Sequence, residues 1–196
     1  MPLEESTLSE EKRLVGACGL YCGLCPRYQS QAKSRCSGCS FGRMGAYCGV
    51  FRCVTKRGYL TCAECPEYPC TRLKRALKID EELDSFISHR AAFENLDHIR
   101  KFGMESFLSE QRERRLLAKR LIVGYNAGRS MTFYCTTCAL LPTRVITQAI
   151  TRVERQVLVG KINSDDRKEL ARHMRVAIED LARKLDIDLS LRRKKR

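Results

Sequence analysis

Ten cysteines within residues 18–70 are the side chains of this sequence best suited to chemistry. Three pairs among them are separated by two residues: Cys22/Cys25, Cys36/Cys39 and Cys62/Cys65. This spacing lets a tight turn direct two sulfurs at one ion, while backbone N–H groups donate hydrogen bonds to the thiolates. The candidate metal ligands are Cys18, Cys22, Cys25, Cys36, Cys39, Cys48, Cys53, Cys62, Cys65 and Cys70.

Two of these pairs belong to a repeated pattern, CxxCPxY, at residues 22–28 and 62–68. The proline fixes its own φ and stiffens the exit from the turn. The tyrosine ring can cover a bound ion with an apolar surface. The pattern predicts two copies of one metal-binding turn; the alternative is a chance likeness between two short turns that lead into helices.

Zinc is the metal that the sequence favours. The N-terminus begins with acidic residues and shows no long apolar segment of a secretory signal, which predicts a cytoplasmic protein with reduced thiols. Twelve cysteines in that setting favour metal binding over disulfides. We expect two zinc ions in closed four-thiolate sites. The spacing Cys18-x3-Cys22-x2-Cys25 matches a three-cysteine iron–sulfur motif, so a [4Fe–4S] cluster is the alternative.

A further CxxC pair, Cys135 and Cys138, lies far from the others in the sequence. It can be half of a zinc site, a redox dithiol, or two small buried apolar side chains at the start of a helix. The three histidines have no metal-ligand spacing to one another.

The amino-acid pattern of the chain changes after Cys70. Frequent glycines in residues 18–70 predict loops, one-turn helices and a small hairpin, too small to fold without metal. Hydrophobic periodicity then predicts helices over 71–78, over 81–102 up to Gly103, over 104–123, from Pro142 to about Gly160, and from Ser164 as N-cap. The predicted fold is mainly α, with an irregular, metal-stapled cysteine-rich N-terminal module that can include small α+β or zinc-ribbon-like elements. The predicted domains are a cysteine-rich module (1–75), a helical domain (76–188) and a frayed basic tail (189–196).

The net charge of +14 is unevenly distributed. Residues 71–196 carry 28 Lys and Arg against 17 Asp and Glu, a difference of +11. Eight zinc-bound thiolates would bring the cysteine module close to neutrality, so the basic helices and the tail Arg192–Arg196 are the predicted sites of weak, non-specific nucleic-acid binding. No run of eighteen apolar residues occurs, which predicts no membrane partner.

The cysteine segments resemble those of the uncharacterised family known as domain of unknown function 3795. The resemblance rests on CGLYCGLCPRY at 18–28, CSGC at 36–39, CGVFRCVTKRG at 48–58 and CAECPEYPC at 62–70. It continues more weakly at 93–111 and 125–135. It implies a metal-binding cysteine module in a soluble prokaryotic protein, and no particular reaction.

The sequence therefore predicts a metal-binding interaction or regulatory module with an unknown protein partner. Catalysis is not favoured, because no Ser/His/Asp set, paired carboxylates, P-loop or GxGxxG is found. The alternatives are an iron–sulfur protein that transfers electrons or supports an anaerobic enzyme, and a non-specific nucleic-acid binder.

Overall fold

The computed structural model describes residues 10–41, 46–78, 83–84 and 86–192. Helices dominate this part of the chain, so the prediction of a mainly α fold is confirmed. Within the described ranges there is no strand, and β pairing is represented by an isolated antiparallel bridge between Val15 and Tyr21. No helix in these ranges is both long enough and apolar enough to cross a membrane.

The helices are numbered here in chain order. They are α1 (Pro26–Gln29), α2 (Gly49–Lys56), α3 (Thr71–Ala76), α4 (Ala92–Phe102), α5 (Met104–Tyr125), α6 (Met131–Leu140), α7 (Thr143–Leu158) and α8 (Arg167–Lys184). Two single turns of 3-10 helix cover Cys22–Leu24 and Cys62–Glu64. The predicted one-turn helices of the cysteine-rich segment are thus present, and each helix predicted after Cys70 has a counterpart, whereas α6 was not among the predicted helices.

The internal contacts divide the chain into two compact units. The first unit contains residues 1–112 and 191–196, and the second contains residues 113–190. The predicted domains, at residues 1–75, 76–188 and 189–196, stay a prediction.

The first unit has a core built around α4 and the start of α5. Leu96, Phe107 and Leu108 are fully buried there. The ring of Phe107 meets the buried ring of Tyr21 edge to face, with 6.2 Å between the ring centroids. The chain before the first CxxC pair is therefore anchored by aromatic packing as well as by its backbone.

The second unit contains the two most regular helices, α7 and α8, which pack against each other. Their buried side chains recur every three or four residues, as an apolar face of a helix requires. These are Val145, Ile146, Ala149, Ile150 and Val153 in α7, and Leu170, Ala171, Met174, Ala177, Ile178 and Ala182 in α8. Hydrophobic periodicity predicts a core position at each of these except Ala171 and Ala182, and the prediction is confirmed there. Leu158 and Leu185, which it also places on the faces of α7 and α8, are 85% and 44% exposed.

Two predicted helix starts are wrong. The helix predicted from residue 81 begins at Ala92 in the described chain. The Asp84 carboxylate accepts a hydrogen bond from the His89 N–H at 2.7 Å, so a side chain occupies a donor that a longer helix would need. In α8 the N-cap is Asp166, whose carboxylate accepts from the N–H groups of Lys168 and Glu169, and not Ser164.

The predicted frayed tail is also partly wrong. Leu189 is buried, and the Asp188 carboxylate accepts hydrogen bonds from Ser190. Arg192 exchanges two hydrogen bonds with Asp84: its N–H donates to the carboxylate at 3.1 Å, and its carbonyl accepts from the Asp84 N–H at 2.8 Å. Residues 189–192 are therefore held in place, while residues 193–196 lie outside the described part of the chain.

Candidate metal centre

The two CxxCPxY segments form the same turn, so the predicted repeat is confirmed. In each, the N–H of the second cysteine donates to the carbonyl of the first, at 2.9 Å for Cys25 and 3.1 Å for Cys65. The tyrosine N–H then donates to the carbonyl of the second cysteine, at 2.9 Å for Tyr28 and 3.2 Å for Tyr68. Both second cysteines share an extended backbone, with ψ at 131°. The matching hydrogen bonds mean that the likeness in sequence encodes a common local structure.

The first turn is paired with the CxxC segment Cys36/Cys39. The Cys22 sulfur accepts a hydrogen bond from the Cys39 N–H at 3.3 Å. The Cys22 thiol also interacts with the Cys39 sulfur, which raises the pKa of Cys22 and lowers that of Cys39. Cys25 is close enough to Cys36 and Cys39 for their charges to raise its pKa further, although burial is the larger cause. We call Cys22, Cys25, Cys36 and Cys39 the first cysteine group.

The second turn shares a cavity with two other cysteines. Cys53, Cys62, Cys65 and Cys70 all line one cavity of about 30 Å³, and the Tyr68 ring lines it as well. Burial raises the pKa of Cys62 to about 12, and neighbouring cysteine charges, above all that of Cys70, contribute to the shift. We call these four cysteines the second cysteine group.

A cation lies at the second cysteine group. The Arg57 guanidinium Nη1 lies 3.5 Å from the Cys65 sulfur and 2.7 Å from the Glu67 carboxylate. The guanidinium therefore connects the sulfur of the second turn to the carboxylate that follows it in the chain.

Backbone N–H groups donate to several of the sulfurs. The Gly38 N–H donates to the Cys36 sulfur at 3.4 Å. Hydrogen bonds from Leu20 to Cys18, and from Arg27 and Tyr28 to Cys25, lower the pKa of these thiols against the opposing effect of burial. Donation from the residue two positions later thus recurs at three cysteines, and it is the hydrogen bonding expected around a metal-bound thiolate.

Cys18 and Cys48 do not line the cavity of the second group. Burial raises the pKa of Cys18 to about 12, with smaller contributions from Cys39 and Cys48. The charge of Cys18 in turn contributes to the raised pKa of Cys62, second to that of Cys70 among the cysteines, so Cys18 lies near both groups. Cys48 is half-buried and is the N-cap residue of α2. The ten predicted ligands are therefore sorted into two groups of four and two further thiols that lie near them.

The donor chemistry of both groups fits zinc. Among the described His, Cys, Asp and Glu side chains, no three are arranged closely enough to hold an ion as they stand. Each group nevertheless supplies four sulfurs and no oxygen or nitrogen ligand, which is the composition of a closed structural zinc site. Four cysteine sulfurs are equally the ligand set of a [4Fe–4S] cluster, so the composition of both groups also fits the iron–sulfur alternative.

Side chains of helix α4 form hydrogen bonds with the chain at both cysteine-rich turns. The Asn95 side chain donates to the Gly19 carbonyl at 2.8 Å, beside the first turn. The Tyr68 hydroxyl donates to Asp97 at 2.8 Å, and Arg100 donates to the Cys65 carbonyl at 3.2 Å, at the second turn. Sequence reasoning missed these positioning residues, because nothing in an amphipathic helix indicates which polar side chains contact a distant turn.

The separate pair Cys135/Cys138 lies within α6, where both side chains are buried. Burial raises the pKa of Cys138 to about 12, which keeps it a neutral thiol at ordinary pH. Of the three alternatives, the structure agrees with the two buried apolar side chains.

Fold and site together define a mainly helical protein with a cysteine-rich N-terminal segment. The family model described as "Protein of unknown function (DUF3795)" matches residues 14–75, the segment that contains both cysteine groups. The resemblance predicted from the cysteine spacing is thereby confirmed over this segment; the weaker likeness at 93–111 and 125–135 lies outside the match. Searches of curated proteins and of solved structures gave no match.

Proposed function

We propose that this protein is a zinc-binding protein in which two structural zinc ions hold the cysteine-rich segment in shape for contact with a protein partner. The first ion is bound by Cys22, Cys25, Cys36 and Cys39, and the second by Cys53, Cys62, Cys65 and Cys70. The single observation that carries the proposal is that the last four cysteines line one cavity together.

Two further observations support it. The repeated turn with N–H donation toward sulfur is the arrangement that stabilises metal-bound thiolates. The segment is also rich in glycine and short of long helices, so it needs a source of stability besides its own small core.

The test is elemental analysis of protein purified without oxygen. We expect a colourless protein with two zinc ions per chain. A brown protein that contains iron and acid-labile sulfide would overturn the proposal in favour of the iron–sulfur alternative, for which the motif Cys18-x3-Cys22-x2-Cys25 is the natural ligand set.

Single variants test the assignment of ligands. Cys25→Ser and Cys65→Ser should each lose one zinc ion, and the double variant should lose both. Cys48→Ser is the matched control: the control cysteine is outside both groups, and serine is a good N-cap for α2, so this variant should keep two ions. Loss of one ion in Cys48→Ser, or retention of one in the double variant, would show that the ligands are grouped differently.

Metal removal gives an independent readout. Strong chelation should abolish the protease resistance and near-ultraviolet circular dichroism of residues 18–70, because folding and metal binding are coupled in such segments. Unchanged signals in metal-free protein would contradict a structural role for the metal.

A further inference from the structure

A groove lined by positively charged side chains lies in the cysteine-rich segment. Two cavities, of about 700 and 390 Å³, adjoin each other and share Gly49 and Arg72 in their walls. Both are lined by residues of α2 and α3 and of the turn that follows α2. We call them together the α2–α3 groove. The cations that line it are Arg52, Lys56, Arg57, Arg72 and Arg75.

Positively charged side chains dominate the walls of this groove. All five cations are exposed. Of the described residues, no aspartate or glutamate lines either cavity, while Cys53, a thiolate ligand in the proposed function, lines the larger one. Glu67 pairs with Arg57 at 2.7 Å and its charge also acts on Arg72, and within the described ranges the other four cations form no ion pair. Exposed cations concentrated in one groove create a field that attracts polyanions.

The size and spacing of the groove indicate a ligand with several phosphates. Arg52 and Lys56 are four residues apart on α2, and Arg72 and Arg75 are three apart on α3, so each pair is separated by about one helical turn, roughly 5–6 Å. One nucleotide of an extended strand covers a comparable length. A single free phosphate would leave most of such a groove empty.

An exposed aromatic residue lies close to the groove-lining residues in the sequence. Tyr47 is 77% exposed and precedes the groove-lining residue Gly49 by two positions. A ring in this position offers a stacking surface for an unpaired base, and base stacking beside a cationic groove is the usual way in which proteins bind single strands.

We propose that the α2–α3 groove binds the phosphate backbone of single-stranded nucleic acid, with a base stacked on Tyr47. This site differs from the basic tail considered from the sequence, and it does not depend on the identity of the bound metal. Arg57 is already paired with Glu67, so the other four cations are the expected phosphate contacts. Four contacts predict that the logarithm of affinity falls with the logarithm of salt with a slope of about −2.8, or about fiftyfold between roughly 50 and 200 mM salt.

The sharpest variant is Gly49→Glu. A Cβ at Gly49 meets no atom within 4 Å, so a longer side chain extends into the groove without a clash. The added carboxylate should weaken binding about tenfold at low salt relative to the uncharged, nearly isosteric control Gly49→Gln. Both variants should keep the metal content and circular dichroism of the parent protein.

A second pair of variants removes charge. Arg52→Ala with Arg72→Ala should weaken binding and reduce the steepness of the slope by about 1.4. The charge-matched control replaces two exposed arginines of α7 in the second unit, Arg144→Ala with Arg155→Ala. This control should change neither the affinity nor the slope.

The experiment is fluorescence anisotropy with a labelled oligothymidine or oligouridine strand. Each variant is made in the full chain and in a chain that ends at Arg192, so that the tail is separated from the groove. The proposal expects the truncated chain to retain its binding, Tyr47→Ala to weaken single-strand binding more than duplex binding, and polyglutamate to compete poorly. Equal binding by Gly49→Glu and Gly49→Gln, loss of binding on truncation, or equal competition by polyglutamate would overturn it.

Discussion

Replacement of Gly19 by alanine should destabilise the first unit more than replacement of any glycine with free space around it. Gly19 has a φ of +88°, and a Cβ built there lies 2.3 Å from the Ala92 carbonyl oxygen and 2.6 Å from the Leu96 side chain. The first obstacle is the backbone of α4, which cannot rotate away. The Asn95 side chain also donates to the Gly19 carbonyl, so the segment cannot shift without losing that hydrogen bond.

The expected loss has two parts. A left-handed backbone costs a residue with a Cβ about 1–2 kcal/mol, and overpacking against buried groups costs about 1–3 kcal/mol more. Gly19→Ala should therefore lower the free energy of unfolding by about 2–5 kcal/mol. The matched control is Gly58→Ala, because Gly58 has a φ of +75° and nothing within 4 Å of an added Cβ. This control should cost about 1–2 kcal/mol at most.

The assay is urea denaturation of both variants followed by far-ultraviolet circular dichroism, with amide hydrogen exchange in α4 to report on the first unit directly. Exchange at the buried Leu96 and Ile99 amides should accelerate far more in Gly19→Ala than in Gly58→Ala. If the two variants lost equal stability, the close packing of Gly19 on α4 would not be a source of stability, and the reasoning would be refuted.

Three further predictions concern the second unit. Burial raises the pKa of Tyr134 from 10.0 to about 12, so the folded form holds this proton more tightly than the unfolded chain does. The contribution of this proton to the free energy of unfolding is complete below pH 10 and is lost as the pH rises toward about 12. Urea denaturation at several pH values across this range should show that the free energy of unfolding declines less steeply for Tyr134→Phe. Cys135→Ala with Cys138→Ala should leave the metal content unchanged but lower the melting temperature, since both side chains are buried; a lost metal ion would show that the pair completes a site. Asp166→Ala should lower the melting temperature more than Ser164→Ala, because the former side chain caps α8 and the latter does not; equal effects would contradict the cap assignment.

The sequence predicted what depends on local periodicity. The core faces of α7 and α8 follow from spacings of three and four residues, and both are confirmed in their central turns. The repeated CxxCPxY turn was predictable for the same reason, since its hydrogen bonds join residues three positions apart.

Features that depend on distant contacts were not predictable. The start of α4 was placed too early, because the Asp84 side chain competes for the His89 N–H and the same carboxylate also meets Arg192, at the other end of the chain. The division of the cysteines into two groups was not predictable for a similar reason. Cys53 is nine residues before Cys62 and belongs to the same group, whereas Cys48, five residues before Cys53, does not. The spacing gives the number of residues between two cysteines, whereas their grouping depends on the path that the chain takes between them.

The position of α4 has a consequence for how the cysteine groups respond to metal. This one helix contacts the chain beside the first group through Asn95 and the second group through Asp97 and Arg100. If both groups bind zinc, an ion at one orders the helix that the other requires, so uptake at the two sites should be cooperative. Thermodynamic reciprocity then demands that each ion strengthens the binding of the other by the same factor. In the variants Cys25→Ser and Cys65→Ser, which keep a single ion, that ion should therefore be bound more weakly than the same ion in the parent protein.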